Sequence, residues 1–222
     1  MNQNMPCIAV IGGTGSLGGG LAFRWAKAGY RVVIGSRSRE KAEQACADIL
    51  EKLPSAKITG CGNQDAASRG DIVVLTVPYS HHESSIREIS DAVQGKIFVD
   101  TTVPLVPPKV ARVQLSADWP VAGAAQTMLG EAVRVVSAFH NVAAAHLHNE
   151  GDHDDGDVLV FGNSKAARES VIELVSAVGL KGWHAGSIHN SVVGEALTSV
   201  LIFLNKNYQI DGSGIRITGN PA

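Results

Sequence analysis

Three glycines carry the first recognisable chemistry of this chain. Gly13, Gly15 and Gly18 stand in the run Ile-Ala-Val-Ile-Gly-Gly-Thr-Gly-Ser-Leu-Gly that begins at Ile8. In a Gly-x-Gly-x-x-Gly pattern the first glycine permits a tight turn. The second lets a pyrophosphate approach the backbone, and the third lets a helix sit close to a strand. Gly13, Thr14, Gly15, Ser16, Leu17 and Gly18 are therefore expected to hold a dinucleotide diphosphate on a helix N-terminus, where unpaired N–H groups and the helix dipole favour anions. Further on, where an NAD site has Asp or Glu on the ribose 2′-hydroxyl, the chain reads Gly35-Ser-Arg-Ser-Arg39, and its first acid is Glu40. A carboxylate there would repel a 2′-phosphate. Ser36 and Arg37 would bind one, the guanidinium through two parallel hydrogen bonds, and Lys41 adds a nearby cation. The chemistry implied is binding of NADP(H).

These residues need a strand, a helix and a second strand to position them. Ile8, Val10 and Ile11 form a short β-branched run that suits a buried parallel strand. Leu21 and Trp25 share one face of the next helix, Ala22 and Ala26 allow close packing, and Gly29 is its expected C-cap. Arg31 to Ile34 is the second strand. A helix is predicted over Ser38 to Leu53 with Ser38 as N-cap, and a third strand over Lys57 to Gly60. A short helix over Asn63 to Ser68 and a fourth strand over Asp71 to Pro78 follow. The fourth strand ends where ligands bind in open α/β sheets, so Thr76, Val77, Pro78 and Tyr79 are expected to line the cofactor. Then come a helix over Ser80 to Ala92, a strand over Lys96 to Asp100, a helix over Val121 to Leu129 and a strand over Arg134 to Phe139. Strands over Asp157 to Gly162 and Lys181 to His184 bracket a helix over Ser164 to Val178. The alternation predicts an α/β, Rossmann-type doubly wound sheet, mainly parallel. The last helix, Asn190 to Lys206, carries Val193, Leu197, Val200, Leu201 and Leu204 on one broad face. Residues 1–180 read as the NADP-binding domain. Residues 181–222 read as an extension that completes the substrate site and a homodimer interface.

Composition narrows the partners. A net charge of -2 with no long basic run argues against nucleic acid or an anionic membrane surface. No apolar stretch approaches the roughly 20 residues that span a bilayer. The N-terminus has no charged region followed by an apolar core, so no signal peptide is expected. Cys7, Cys46 and Cys61 are odd in number and form no Cys-x-x-Cys pair, which fits reduced thiols in a cytoplasmic protein.

The second ligand is less well marked. Val103 and Pro104 begin a proline-rich loop that leaves the carboxyl edge of the sheet and is expected to face the nicotinamide. His140 follows the sixth strand and is a candidate to hydrogen-bond an acceptor ring as hydride arrives. A strand-end histidine that only shapes the pocket is the alternative. His148, Glu150, Asp152, His153, Asp154, Asp155 and Asp157 crowd one segment. Imidazole and carboxylate suit zinc, manganese or iron. Irregular glycine-rich backbone fixes ligands poorly, however, and the expectation is a solvated acidic loop with no metal.

Taken together, these motifs identify the chain as resembling the NADPH-dependent reductases of the deazaflavin coenzyme F420. The resemblance rests on Ile11 to Gly18, Gly35 to Lys41, Thr76-Val-Pro78, Val103 to Pro107, Ser137-Ala-Phe-His140, Asp157-Val-Leu-Val160, Glu195-Ala-Leu-Thr198, Leu204-Asn205 and Gly214 to Gly219. It implies that Thr14, Ser36, Arg37 and Lys41 hold the adenosine 2′-phosphate. It also implies that the Pro104 loop, His140 and the turn Asn141, Val142, Ala143 border the deazaflavin. The chain departs from the family pattern at Asn141 and Ala143, and at Phe161-Gly-Asn163 where the family has Cys-Gly-Asp. Two rival readings remain at this stage: an NADPH-dependent flavin or ferric reductase on the same scaffold, and a non-catalytic NADP-sensing protein.

Overall fold

In a computed structural model, residues 5–114, 120–148 and 156–219 are described. Strand β1 (Ile8–Ile11) lies at the middle of an eight-stranded sheet. It is followed by α1 (Ser16–Lys27), β2 (Val32–Ser36), α2 (Arg39–Lys52), β3 (Ile58–Gly62), α3 (Asn63–Arg69) and β4 (Ile72–Leu75). A turn of 3-10 helix (Tyr79–His81) leads into α4 (His82–Ile89), then β5 (Ile97–Asp100), α5 (Val121–Leu129) and β6 (Arg134–Ser137). The chain closes with α6 (Ala144–Leu147), β7 (Asp157–Gly162), α7 (Lys165–Ala177), β8 (Lys181–His184) and α8 (Ser191–Tyr208). The strand order is β3-β2-β1-β4-β5-β6-β7-β8.

The order reverses between β1 and β4, which places the carboxyl ends of those strands at a topological switch point. Every pairing is parallel except β6 with β7, which is antiparallel. The expected architecture is the observed one. The strand Lys181–His184 is hydrogen-bonded to β7 as the last strand of the sheet.

The central strands read as continuous apolar runs because helices cover both faces. Ile8, Val10, Ile34, Val74 and Val99 pack with Trp25, while Ala9, Ile11, Val73, Leu75 and Phe98 pack with Ile86 and Ile89. Trp25 is fully buried and its indole N–H donates to the Leu174 carbonyl at 2.9 Å, which ties α1 to α7.

Among the boundaries that differ from the sequence expectation, the helix expected over Ser80 to Ala92 ends at Ile89 and the third strand runs on to Gly62; three more bear on the ends of elements. The fourth strand stops at Leu75, and the next three residues turn outward, with Thr76 donating its hydroxyl to the Ile11 carbonyl at 2.9 Å. The sixth strand stops at Ser137, because Phe139 adopts a left-handed φ of 66° that no strand tolerates. The final helix runs two residues further than expected, to Tyr208, and ends on left-handed Gln209.

Candidate functional site

The glycine turn is built by contacts from both sides. Its left-handed residue is Gly12, with φ of 78°, rather than Gly13. A side chain at Gly13 would strike the Val10 carbonyl at 2.9 Å, so bulk is what excludes one there. A Cβ at Gly18 would stand 2.3 Å from the Thr76 hydroxyl, so α1 can approach β4 only with glycine at this position. Gly15 is the open one: nothing lies nearer a Cβ there than the Gly12 carbonyl at 3.4 Å. Helix α1 has no side-chain cap at its N-terminus, and Thr14, Gly15 and Ser16 are exposed. The first-turn N–H groups of α1 therefore remain available to an anion.

The cleft beside this turn, about 250 Å³, is lined by Thr14, Gly15, Ser36, Arg37, Lys41, Thr76, Val77 and Pro78. These are eight of the residues singled out in the sequence. Gly13, Leu17 and Gly18 shape the turn behind it. Ser38, Asn63, His81 and Ser85 also line the cleft and were missed. Asn63 had a signal: it begins α3 directly after β3, at the same carboxyl edge.

The electrostatics suit a phosphate. Arg37 and Lys41 are exposed on the cleft and carry no ion pair among the described residues. Glu40, the nearest acid, accepts a hydrogen bond from the Ser38 hydroxyl at 2.7 Å, which holds its carboxyl below the usual range. Ser38 in turn caps α2 by accepting from the Lys41 N–H at 3.3 Å. Arg39 is drawn to Glu43 at 2.8 Å along the helix. Helix pairing thus keeps Arg39 on α2 while Arg37 stays on the cleft.

The residues expected at the second ligand are not gathered on this cleft. Val103 is half-buried and Pro104 buried beyond β5. Asn141, Val142 and Ala143 line a different cavity, about 300 Å³, with His146, Asp157, Leu180 and the tail residues Gly212 to Arg216. Asn141 donates to the Asp157 carbonyl at 2.7 Å. The tail is stitched there by Asp157, whose N–H donates to the Ile215 carbonyl at 2.9 Å and whose carboxylate accepts from the Ile217 N–H at 2.5 Å. Arg24 of α1 holds the segment from the other side, donating to the Leu147 and His146 carbonyls at 3.0 and 3.2 Å. Tyr79, expected on the cofactor, faces a neighbouring groove instead.

His140 is 6% exposed, and its Nε2 lies 2.9 Å from the Ser137 hydroxyl. Its ring packs near Phe161 and close under Gly194 of α8, where a Cβ would come within 3.0 Å of Nδ1. Its ring lines neither of these two cavities. Burial pulls its pKa down to about 4, so it is neutral at physiological pH.

Two buried carboxylates escaped the sequence analysis. Asp100, at the end of β5, sits 2.7 Å from His82 Nε2, with the side chains 1% and 6% exposed. Its other oxygen accepts from the Thr102 N–H at 3.0 Å. Burial pushes Asp100 up, but the charge and hydrogen bond of His82 outweigh it and hold the carboxyl low. Burial likewise pulls His82 down, and Asp100 more than reverses this, leaving the imidazole above its ordinary range. Glu195 of α8 accepts from the Val121 and Ala122 N–H groups at 2.8 and 3.2 Å and from the Ser191 hydroxyl at 2.9 Å. It thereby caps α5 from outside that helix. Burial raises its pKa against those bonds.

The metal expectation for the acidic segment falls largely on residues 149–155, outside those described. Among the described residues no group of three or more His, Cys, Asp or Glu is arranged to hold a metal ion. Nor, among them, is any helix long and apolar enough to cross a membrane.

Comparison with known proteins agrees with this geometry. Residues 7–104 match the family model described as NADP oxidoreductase, coenzyme F420-dependent. An F420-dependent NADP reductase of Methanocaldococcus jannaschii is 41% identical over 95% of this chain and 97% of its own length. One from Methanothermobacter thermautotrophicus is 37% identical over 96% and 95%. Among solved structures, a protein of Arthrobacter sp. FB24 provisionally described as an F420-dependent NADP-reductase superposes with a TM-score of 0.82. It covers 97% of this chain and 100% of its own at 24% identity, a likeness of fold.

His140 makes a pH prediction. An unfolded imidazole takes a proton near pH 6.5, whereas the folded one resists until about pH 4. The unfolded chain therefore binds more protons in that window, and stability falls as pH drops through it. Between pH 7 and pH 5 the parent should lose about 2 kcal/mol more than His140→Gln in urea unfolding. Equal losses would refute the buried neutral histidine.

Proposed function

The chain belongs to the family of F420-dependent NADP reductases, and on that premise we propose that it transfers a hydride between NADP(H) and the deazaflavin coenzyme F420, with the residues of the glycine cleft holding the nucleotide. The observation that carries the site assignment is the cleft itself. It joins an uncapped helix N-terminus to Ser36, Arg37 and Lys41 with no free carboxylate between them.

The nicotinamide supplies the hydride and the deazaflavin accepts it, so the electronic chemistry belongs to the bound molecules. The chain's part is to bind, orient and exclude water. Thr14, Gly15, Ser16 and the first-turn N–H groups of α1 hold the diphosphate. Ser36, Arg37 and Lys41 hold the 2′-phosphate. Thr76, Val77 and Pro78 form the wall along which the nicotinamide half extends to the carboxyl edge. Val103 and Pro104, just past β5, border the reacting ring. Positioning of this kind supplies much of the rate when two rings are held near contact. In this reading residues 1–180 serve the nucleotide. Residues 181–222 complete the substrate side through Glu195, which fixes the start of α5, whereas Asn141, Val142 and Ala143 stand apart from it against the tail.

A homodimer fits the outer face of α8, where Val193, Val200 and Phe203 are 58%, 45% and 53% exposed. Large apolar groups at that spacing resemble a core cut in half. A cytoplasmic location suits the three free, buried cysteines.

Three measurements test these assignments. Arg37→Ala should weaken NADPH binding by about 1.5–3 kcal/mol, the value of a charge-assisted hydrogen bond, and leave NADH binding almost unchanged. Equal losses for both nucleotides would overturn the 2′-phosphate assignment. In stopped-flow absorbance the chain should oxidise NADPH with F420. Oxidation with free flavin or ferric chelate but not F420 would favour the rival reductase, and bound NADPH that none of them oxidises would favour a sensor. Light scattering at micromolar concentration should give the mass of a dimer, and a monomer would remove α8 as an interface.

A further inference from the structure

Helices α4 and α5 enclose a groove of about 720 Å³, lined by Tyr79, His82, Arg87, Val121, Met128 and His189 among others. It stands next to the nucleotide cleft: Pro78 lines the cleft and Tyr79 lines the groove, so the two meet at one rim on the carboxyl edge. Both helices begin at this edge. His82 is the first residue of α4, and the N-terminus of α5 is fixed by Glu195. The groove therefore opens where the reacting end of a bound nucleotide would lie.

His82 is fastened as few surface-helix histidines are. Its Nε2 is engaged by Asp100 at 2.7 Å, and Asp100 is itself locked by the Thr102 N–H at 3.0 Å. The second ring nitrogen, Nδ1, has no hydrogen-bond partner among the described residues, and His82 lines the groove. A buried carboxylate on one nitrogen with the other left open is how a histidine is oriented to exchange a proton.

Hydride transfer to a deazaflavin requires such a proton. Two electrons arrive with the hydride as one C–H bond breaks on the donor and another forms on the acceptor ring. The ring is left with negative charge on its conjugated nitrogen–carbonyl system, and one proton neutralises it. We propose that His82, positioned by Asp100, faces the acceptor from the α4–α5 groove and gives it that proton through Nδ1, regaining one from water along the groove. This rests on the reading of the chain as an F420 reductase and adds to it the group that completes the reaction.

The charges around His82 support the role. Asp100 on β5, Glu195 on α8 and Glu83 on α4 all favour its cationic form. Arg87, a cation of α4 on the same groove, has its guanidinium held by Glu83 at 2.7 Å. His189 is exposed on the segment before α8, and the α5 residues of the wall carry no titratable group. The imidazole is therefore kept protonated above its ordinary range, and reduction of the acceptor should slow as pH rises through that raised value.

The test uses the full chain with F420 and NADPH. His82→Gln should lower the turnover of F420 reduction by about 100-fold, the usual share of a general acid. It should also flatten the alkaline limb of the pH profile and remove the solvent isotope effect. NADPH affinity, read by fluorescence quenching without turnover, should be unchanged. Asp100→Asn should move the limb to lower pH. Should Asp100→Asn fail to fold by circular dichroism, His82→Gln decides alone. If the parent reduces F420 and His82→Gln keeps its turnover and its alkaline limb, this proposal is wrong while the reductase reading stands. Loss of NADPH binding in step with turnover would also overturn it, since that marks a structural role. A parent inert toward F420 would sink both.

Discussion

The distance between α1 and the β1–β4 edge governs much of this molecule. Gly18 lies so close to Thr76 that one methyl group would collide with it. Because that gap is closed, the N-terminus of α1 stands over the switch point of the sheet, with its first N–H groups facing the cleft. The same closeness continues along the helix. A Cβ on Gly20 would meet Leu147 at 2.6 Å, so the α6 segment also rests on α1. Two of three successive glycines therefore serve a partner each: Gly18 admits the sheet and Gly20 admits the segment after His140.

Charge buried at the carboxyl edge is the second constraint. Asp100 and Glu195 are each 1% exposed, and a carboxylate so far from water persists only when its oxygens are occupied. They are occupied by groups from distant parts of the chain: His82 and Thr102 for one, Val121, Ala122 and Ser191 for the other. Each carboxylate thus fixes elements that the sheet does not order. One sets the start of α4 relative to β5, and the other sets the start of α5 relative to α8. The wall of the α4–α5 groove is a product of these two placements.

The sequence disclosed what depends on local pattern. Glycine spacing, the absent acid after β2 and the apolar runs of β1, β4 and β5 follow from short-range rules, and Thr14, Gly15, Ser36, Arg37 and Lys41 do line one cleft. What it did not disclose depends on partners far along the chain. Asp100 looked like the end of a strand because the residue it needs, His82, lies across α4. Glu195 sat in a motif of family resemblance, and nothing local marks it as the cap of α5. Phe139 gave no warning of its left-handed backbone, which turns His140 inward under Gly194. Asn141, Val142 and Ala143 do stand together in space, yet the structure joins them to Gly212 to Arg216 rather than to the nucleotide cleft. That tail is remote in sequence and carries no periodicity to announce the contact.

The seating of Glu195 has a mechanical side. Its two oxygens hold three donors, two on α5 and one on α8 itself, and nothing in that arrangement has slack. Helix α8 cannot slide by a residue or roll about its axis without breaking both bonds to α5 together. A load on its outer face, where Val193, Val200 and Phe203 stand exposed, is therefore carried inward rather than dissipated. The helix works as a rigid lever whose short arm ends at Val121, at the mouth of the groove.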